Sequence, residues 1–290
     1  MNSMTNSVQK SEGITLVLGG TGKTGRRVAE RLQARGIETR IASRSASPSF
    51  DWNDQSNWET AVDGVTAAYI SYAPDLAIPG ATDAIRSFVD MAAASGVRRL
   101  VLLSGRGEEE AQACEQIVQA SNAEWTIVRA SWFMQNFSEG EFLAMVKDGV
   151  MALPAADIPE PFIDVNDIAD VAIAALTEEG HAYEVYEVTG PRLMTLTEVA
   201  QEIADASGRN VQYIQVPKAD FNQAIIDSGA PADIAWLLNY LFETVLDGRN
   251  ASLSDGIQRA LGREPADFRD FAQRIAARGN WNLTREEDAA

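Results

Sequence analysis

The chain has 290 residues, an apolar share of 46% and a formal net charge of −18. That charge argues against nucleic acid and anionic membrane surfaces as partners, because both need clustered Lys and Arg. Cys114 is the only cysteine and His181 the only histidine, so an intrachain disulfide, a cysteine cluster and a multi-histidine metal site are all ruled out.

Residues 1–11, rich in Ser and Asn, read as a disordered tail. No apolar run reaches the length of a membrane span and the start lacks a signal-peptide core, so a cytoplasmic protein is expected. Ile14–Leu18 is a short apolar run of the kind that forms a buried parallel strand. A turn with glycines at 19, 22 and 25 follows, and then an amphipathic helix to about Arg35, closed by Gly36. Strand, glycine-spaced turn and helix together make a pyrophosphate cradle. Gly19 turns the chain off the strand and Gly22 admits phosphate to the backbone. Gly25 lets the helix pack close, and the helix N-terminus offers free N–H groups. Gly22-Lys23-Thr24 looks like a P-loop fragment, but the spacing from Gly19 is too short for that motif.

A second strand, Thr39–Ser43, ends at Arg44 and Ser45. An acid at this strand end would bind a ribose 2′-hydroxyl. Arg44 among Ser43, Ser45 and Ser47 instead suits a 2′-phosphate, hence NADP(H) rather than NAD(H). Pro48–Trp52 reads as a short third strand, with Asp51 near the adenine. A helix over 55–62 buries Trp58. Val65–Ile70 is a strand ending in Ser71-Tyr72-Ala73-Pro74. A helix over 81–95, a strand over 99–103 ending in Ser104-Gly105, a helix over 108–121 and a strand over 125–128 follow. This alternation predicts an α/β doubly wound parallel sheet, a dinucleotide-binding Rossmann domain over 12–190. A smaller, mostly helical substrate lobe occupies 191–290.

In such folds ligands lie at the carboxyl ends of the strands. That rule collects Gly19, Thr21, Gly22, Lys23, Thr24, Gly25, Arg44, Ser45, Asp51, Tyr72, Ala73, Pro74, Ser104, Gly105 and Ser131 as cofactor contacts. Residues 131–160 are expected to help form the substrate pocket. Trp132, Phe133, Met134, Asn136 and Phe137, with Tyr72 and Phe162, are expected to wall it for a flat small molecule, against the alternative that these aromatics are core. Asp167 or Asn166 is expected to cap the helix that runs to about Thr177, and Thr195–Glu198 resembles a capping box. The helix bearing Glu108, Glu109, Glu110 and Glu115 should show those acids to solvent. Cys114 reads as a buried structural thiol and His181 as structural or exposed. The pattern leaves the oligomeric state open.

With these residues in view, the chain resembles the NmrA-like atypical short-chain dehydrogenases. The matching pieces are the loop 19–25, Ala42–Ser45, Val128–Phe137 and Pro161–Ala169. Within the family the likeness is greatest to the festuclavine dehydrogenase branch of ergot alkaloid synthesis. That branch shares the Gly-Gly-x-Gly-Lys-Thr loop, the compressed passage at 43–52 and a segment like Leu261–Pro265. The resemblance implies NADP(H) binding. Ordinary short-chain dehydrogenases use a Tyr–Lys pair, but Ser104–Gln119 holds neither residue, and only Ser104 stands where a catalytic serine would. Two functions follow from the resemblance. One is a reductase passing hydride to an imine, iminium or quinone that needs little help from a protein acid. The other is a non-catalytic NADP(H) sensor, as in the regulator that names the family.

Overall fold

The computed structural model describes residues 13–140 and 142–282, so the expected tail lies outside the described residues. Six parallel strands form the central sheet: β1 (Ile14–Leu18), β2 (Thr39–Ala42), β3 (Val65–Ile70), β4 (Arg99–Gly105), β5 (Glu124–Ala130) and β7 (Glu184–Val188). Their order is β2-β1-β3-β4-β5-β7. The chain steps outward from β1 to β2 and then returns to the other side of β1 for β3. This puts a topological switch point above β1, where ligands of doubly wound sheets bind.

Both faces of the sheet are covered, which is why its strands read as continuous apolar runs. Leu16, Leu18, Leu100 and Leu102 face α2 (Trp58–Val62), α3 (Ala81–Ala94) and α4 (Glu109–Gln119) in one core. Val17, Tyr69, Val101 and Val128 face α1 (Lys23–Ala34) and α7 (Val165–Thr177) in another. α11 (Gly256–Leu261) joins this second face through Ile257 and packs on β7 and α7.

A third core belongs to the lobe. It combines Met134, Phe137, Phe142, Val146 and Met151 with residues between Met194 and Trp281. The lobe is therefore assembled from two separated stretches of chain. It contains α5 (Asn136–Glu139), α6 (Leu143–Asp148), α8 (Leu196–Ser207), α9 (Lys218–Asp227), α10 (Ala232–Tyr240) and α12 (Phe268–Ala277). A two-stranded parallel sheet of β6 (Val150–Leu153) and β8 (Gln212–Gln215) braces it. β6 is only four residues long after the left-handed Gly149 and carries no period of its own.

Pro48–Trp52 is not a third strand. It makes only isolated bridges, Ser43 to Ser49 and Asp51 to Asp54. Phe50 and Trp52 turn inward instead, and Phe50 stacks on Trp58 at 5.1 Å while its edge meets Phe88. β2 is thus the edge of the sheet. The helix expected over 55–62 divides into a tight turn at Gln55–Asn57 and α2, with Trp58 fully buried as expected.

Candidate functional site

The glycine turn has the close packing its spacing implies. Gly19 adopts φ of +64° as the chain leaves β1, a conformation that costs glycine little. A Cβ on Gly25 would lie 2.3 Å from the Gly19 carbonyl oxygen and 2.9 Å from Gly20 Cα, so α1 starts directly on the turn. At Gly22 a Cβ would meet only the Gly19 oxygen, at 3.2 Å, and Thr21 and Gly22 are exposed. Gly22 caps α1 without any side-chain hydrogen bond, and no acid lies in the first turn. The orphan N–H groups and the positive end of the helix dipole remain for an external anion. Lys23 Nζ donates to Asn136 Oδ1 at 3.0 Å, while Thr24 is buried. Arg26 and Arg27 both pair with Glu139. The cradle is thereby fastened to α5.

Beyond β2, Arg44 and Ser45 are exposed, and the Ser43 and Ser45 hydroxyls lie 3.4 Å apart. The Arg44 guanidinium has no hydrogen-bond or ion-pair partner among the described residues, unlike most arginines of this chain. Asp51 closes a local turn: its carboxylate accepts from Asn53 N at 3.0 Å and its carbonyl from Trp58 Nε1 at 2.8 Å. Tyr72 lies against Trp52 at 4.9 Å, and burial raises its phenol pKa. Ala73 and Pro74 are exposed.

The aromatic stretch after β5 divides by burial. Met134 N donates to Ile163 O and Ile163 N to Trp132 O, both at 2.9 Å, which pins this segment to residues 161–163. Met134, Phe137 and Phe162 are at most 3% exposed and sit in the lobe core, where Phe137 and Phe162 both touch Phe268. They line no open surface, because the lobe needs them as its centre. Trp132, Phe133 and Asn136 are half-buried, and Trp132 lies 5.3 Å from Phe242 of the lobe. Ser131 is buried and its Oγ has no partner among the described residues.

Gln135 and Asp164 carry a role that the pattern does not suggest. Buried Gln135 donates to Asp164 Oδ1 at 2.8 Å and accepts from Val165 N at 2.9 Å. Asp164, rather than Asn166 or Asp167, caps α7, and it also pairs with Arg274 of α12 at 2.5 Å. Asp167 is turned the other way, accepting from Ala266 N at 2.7 Å and pairing with Arg263 at 2.8 Å. An acid immediately before the apolar helical period was the available signal. The capping box at Thr195–Glu198 is present.

The acids of α4 are not a solvated face. Glu109 is exposed, but Glu115 is 2% and Glu108 7% exposed. Ser104 Oγ donates to Glu115 Oε1 at 2.6 Å, and Arg129 binds the same carboxylate through two nitrogens. The Ser104 proton is thus committed inward, which fits a positioning role for Ser104 better than proton donation to a ligand. Glu108 lies over Gly105, where a Cβ would come within 2.2 Å of its carboxylate. Its polar neighbour is the Asp75 carboxyl, and burial together with that neighbour raises the Glu108 pKa well above the ordinary value. Cys114 is fully buried, and burial pushes its thiol up to about 12, which makes it inert. His181 pairs with the Tyr186 hydroxyl at 2.9 Å. Among the described residues no helix is long and apolar enough to cross a membrane.

A parallel doubly wound sheet with a glycine cradle at its switch point defines a dinucleotide-binding α/β protein. The chain belongs to the NmrA-like family, whose model matches residues 11–272. It is 30% identical over 288 residues to festuclavine dehydrogenase of Aspergillus fumigatus, covering 91% of this chain and 98% of that one. Two solved structures share the fold. Citrobacter sp. triphenylmethane reductase complexed with NADP(H) has a TM-score of 0.73 at 20% identity, over 90% of this chain and 99% of that one. The NADPH-dependent quinone oxidoreductase of Escherichia coli complexed with NADPH has a TM-score of 0.75 at 23% identity, over the same shares.

Proposed function

We propose that the protein is an NADPH-dependent reductase that transfers hydride to a flat small-molecule acceptor, an imine, iminium or quinone. The observation that carries this reading is the cradle at Gly19–Gly25: a helix start held tight by Gly25, left open at Gly22 and free of competing acids. Backbone N–H groups of residues 21–24 would hold the pyrophosphate, and Arg44 with Ser45 the 2′-phosphate. The bound dinucleotide supplies a hydride and nothing else. The chain's own part is to orient the acceptor and exclude water. Trp132 and Phe133, at the carboxyl edge of the sheet, offer apolar surface for that purpose.

The relatives named above support the class of reaction, since they are a dehydrogenase and two reductases. NADPH oxidation followed by absorbance with menadione, a cyclic imine and its iminium salt tests the reading. Turnover of at least one acceptor, with NADPH preferred over NADH, is expected. Tight NADPH binding with no turnover of any would favour the sensor function instead.

A further inference from the structure

Resting on the reductase reading, we infer that Glu108, paired with Asp75 over the end of β4, is the proton donor for a neutral imine or quinone acceptor. The two carboxyls come from different loops. Asp75 lies five residues beyond β3 and Glu108 three beyond β4. Gly105, on which Glu108 rests, is paired with Ala130 at the ends of β4 and β5. Ser104 and Ser131 adjoin these positions, so the acid stands on the edge of the sheet that carries the glycine cradle.

Three features make Glu108 a proton holder rather than a structural anion. It is 7% exposed, yet no N–H or O–H donor of the described residues reaches its Oε2. Its neighbour is another acid, Asp75, and burial beside that carboxyl raises the Glu108 pKa well above the ordinary value, which favours the protonated form. Its surroundings offer no counter-charge. Glu110 accepts from the Tyr240 hydroxyl at 2.6 Å, and Glu115 is already bound to Arg129. Cys114 and Tyr72 stay neutral at physiological pH, and Arg249 is taken by Asp247 at 2.9 Å. Burial without a cation favours the protonated acid. Asp75 is the more exposed member and accepts from Ala77 N at 2.8 Å, which fits it to hold negative charge and to pass protons from water.

The balance is simple. The acceptor carbon or ring gains a hydride from the reduced dinucleotide. The Glu108 O–H bond breaks, its proton joins the acceptor nitrogen or oxygen, and a carboxylate remains until water restores the proton through Asp75. An iminium already carrying its charge needs no such proton. Only neutral acceptors therefore depend on Glu108.

The test compares wild type with Glu108→Gln on menadione, dihydroisoquinoline and the N-methyl iminium salt of the latter. Turnover of the two neutral acceptors should fall roughly 100-fold, within the range for loss of a general acid, while the iminium changes by less than about threefold. Asp75→Asn, which donates an N–H to Glu108, should move the alkaline fall of neutral-acceptor turnover to lower pH. Independently of turnover, the infrared carbonyl band of a protonated carboxyl should be present in the cofactor-free chain at neutral pH and weaker in Glu108→Gln. An unchanged band, equal loss on all three acceptors, or no loss on the neutral ones overturns the inference. Wild type that binds NADPH and reduces none of the three would instead sink the reductase reading, and proton delivery with it.

Discussion

The two halves of the sheet's carboxyl edge are built by different means. Over β1 and β2 the surface is mainly backbone: glycines and a helix start, with the Arg44 guanidinium, which has no partner among the described residues, beside them. Over β3, β4 and β5 it is side chain: Tyr72, Asp75, Glu108 and Trp132, delivered by three loops and closed in by the lobe through Tyr240 and Phe242. A backbone site is specified by a few adjacent residues and tolerates little change in any of them. A side-chain site is specified by the packing of distant elements, so its chemistry depends on burial.

The strongest way to break this contrast is at the glycines. Gly25→Val forces a side chain into the Gly19 carbonyl. It should abolish dinucleotide binding and also lower Tm by several degrees, as backbone overpacking costs about 1–3 kcal/mol or more. Gly22→Val meets only one atom within 4 Å, so it should abolish binding while leaving Tm nearly unchanged. Calorimetry of NADPH binding beside thermal melts separates the two, and equal effects on both readouts would show that Gly22 is structural.

A second prediction concerns burial of charge on the acceptor side. Glu160 is 1% exposed and its Oε1 has no partner among the described residues. Burial pushes its pKa up to about 8, against a smaller opposing pull from Arg106. The native state therefore keeps a proton that the unfolded chain loses above its ordinary carboxylate pKa. Stability is greatest below that value and declines as pH rises through about 8. Glu160→Gln should flatten this decline and stabilise the chain at alkaline pH by roughly 3–5 kcal/mol. Denaturant unfolding at acid and alkaline pH measures it, and a variant with the wild-type pH slope would remove Glu160 from the account.

The smallest effect is expected at the exposed end of the cradle. Arg44→Ala removes one charge-assisted contact, worth about 1.5–3 kcal/mol, and should weaken NADPH by about 10- to 100-fold while sparing NADH. Equal loss of both cofactors would refute the 2′-phosphate role.

The difference between the two halves also explains what could be read in advance. Ile14–Gly25 and the β2–Arg44 junction are local patterns, in which strand, turn and helix are adjacent in the chain and the spacing alone fixes the geometry. Asp164 capping α7 was one residue choice away from legible. Pro48–Trp52 misled because nothing local shows that Phe50 and Trp52 turn inward to join Trp58 and Phe88. Glu108 and Glu115 looked like a charged helix face, since nothing local says that Asp75 and Arg129 lie beside them.

The sequence by itself determined the doubly wound class and the close-packed glycine turn between β1 and α1, because glycine spacing acts through backbone geometry over a dozen residues. Only the tertiary structure decided which aromatics are core and which remain available at the sheet edge. It also decided that Glu108 is buried beside Asp75 where no tyrosine stands. Burial, unlike backbone geometry, is a property of what the rest of the chain brings alongside.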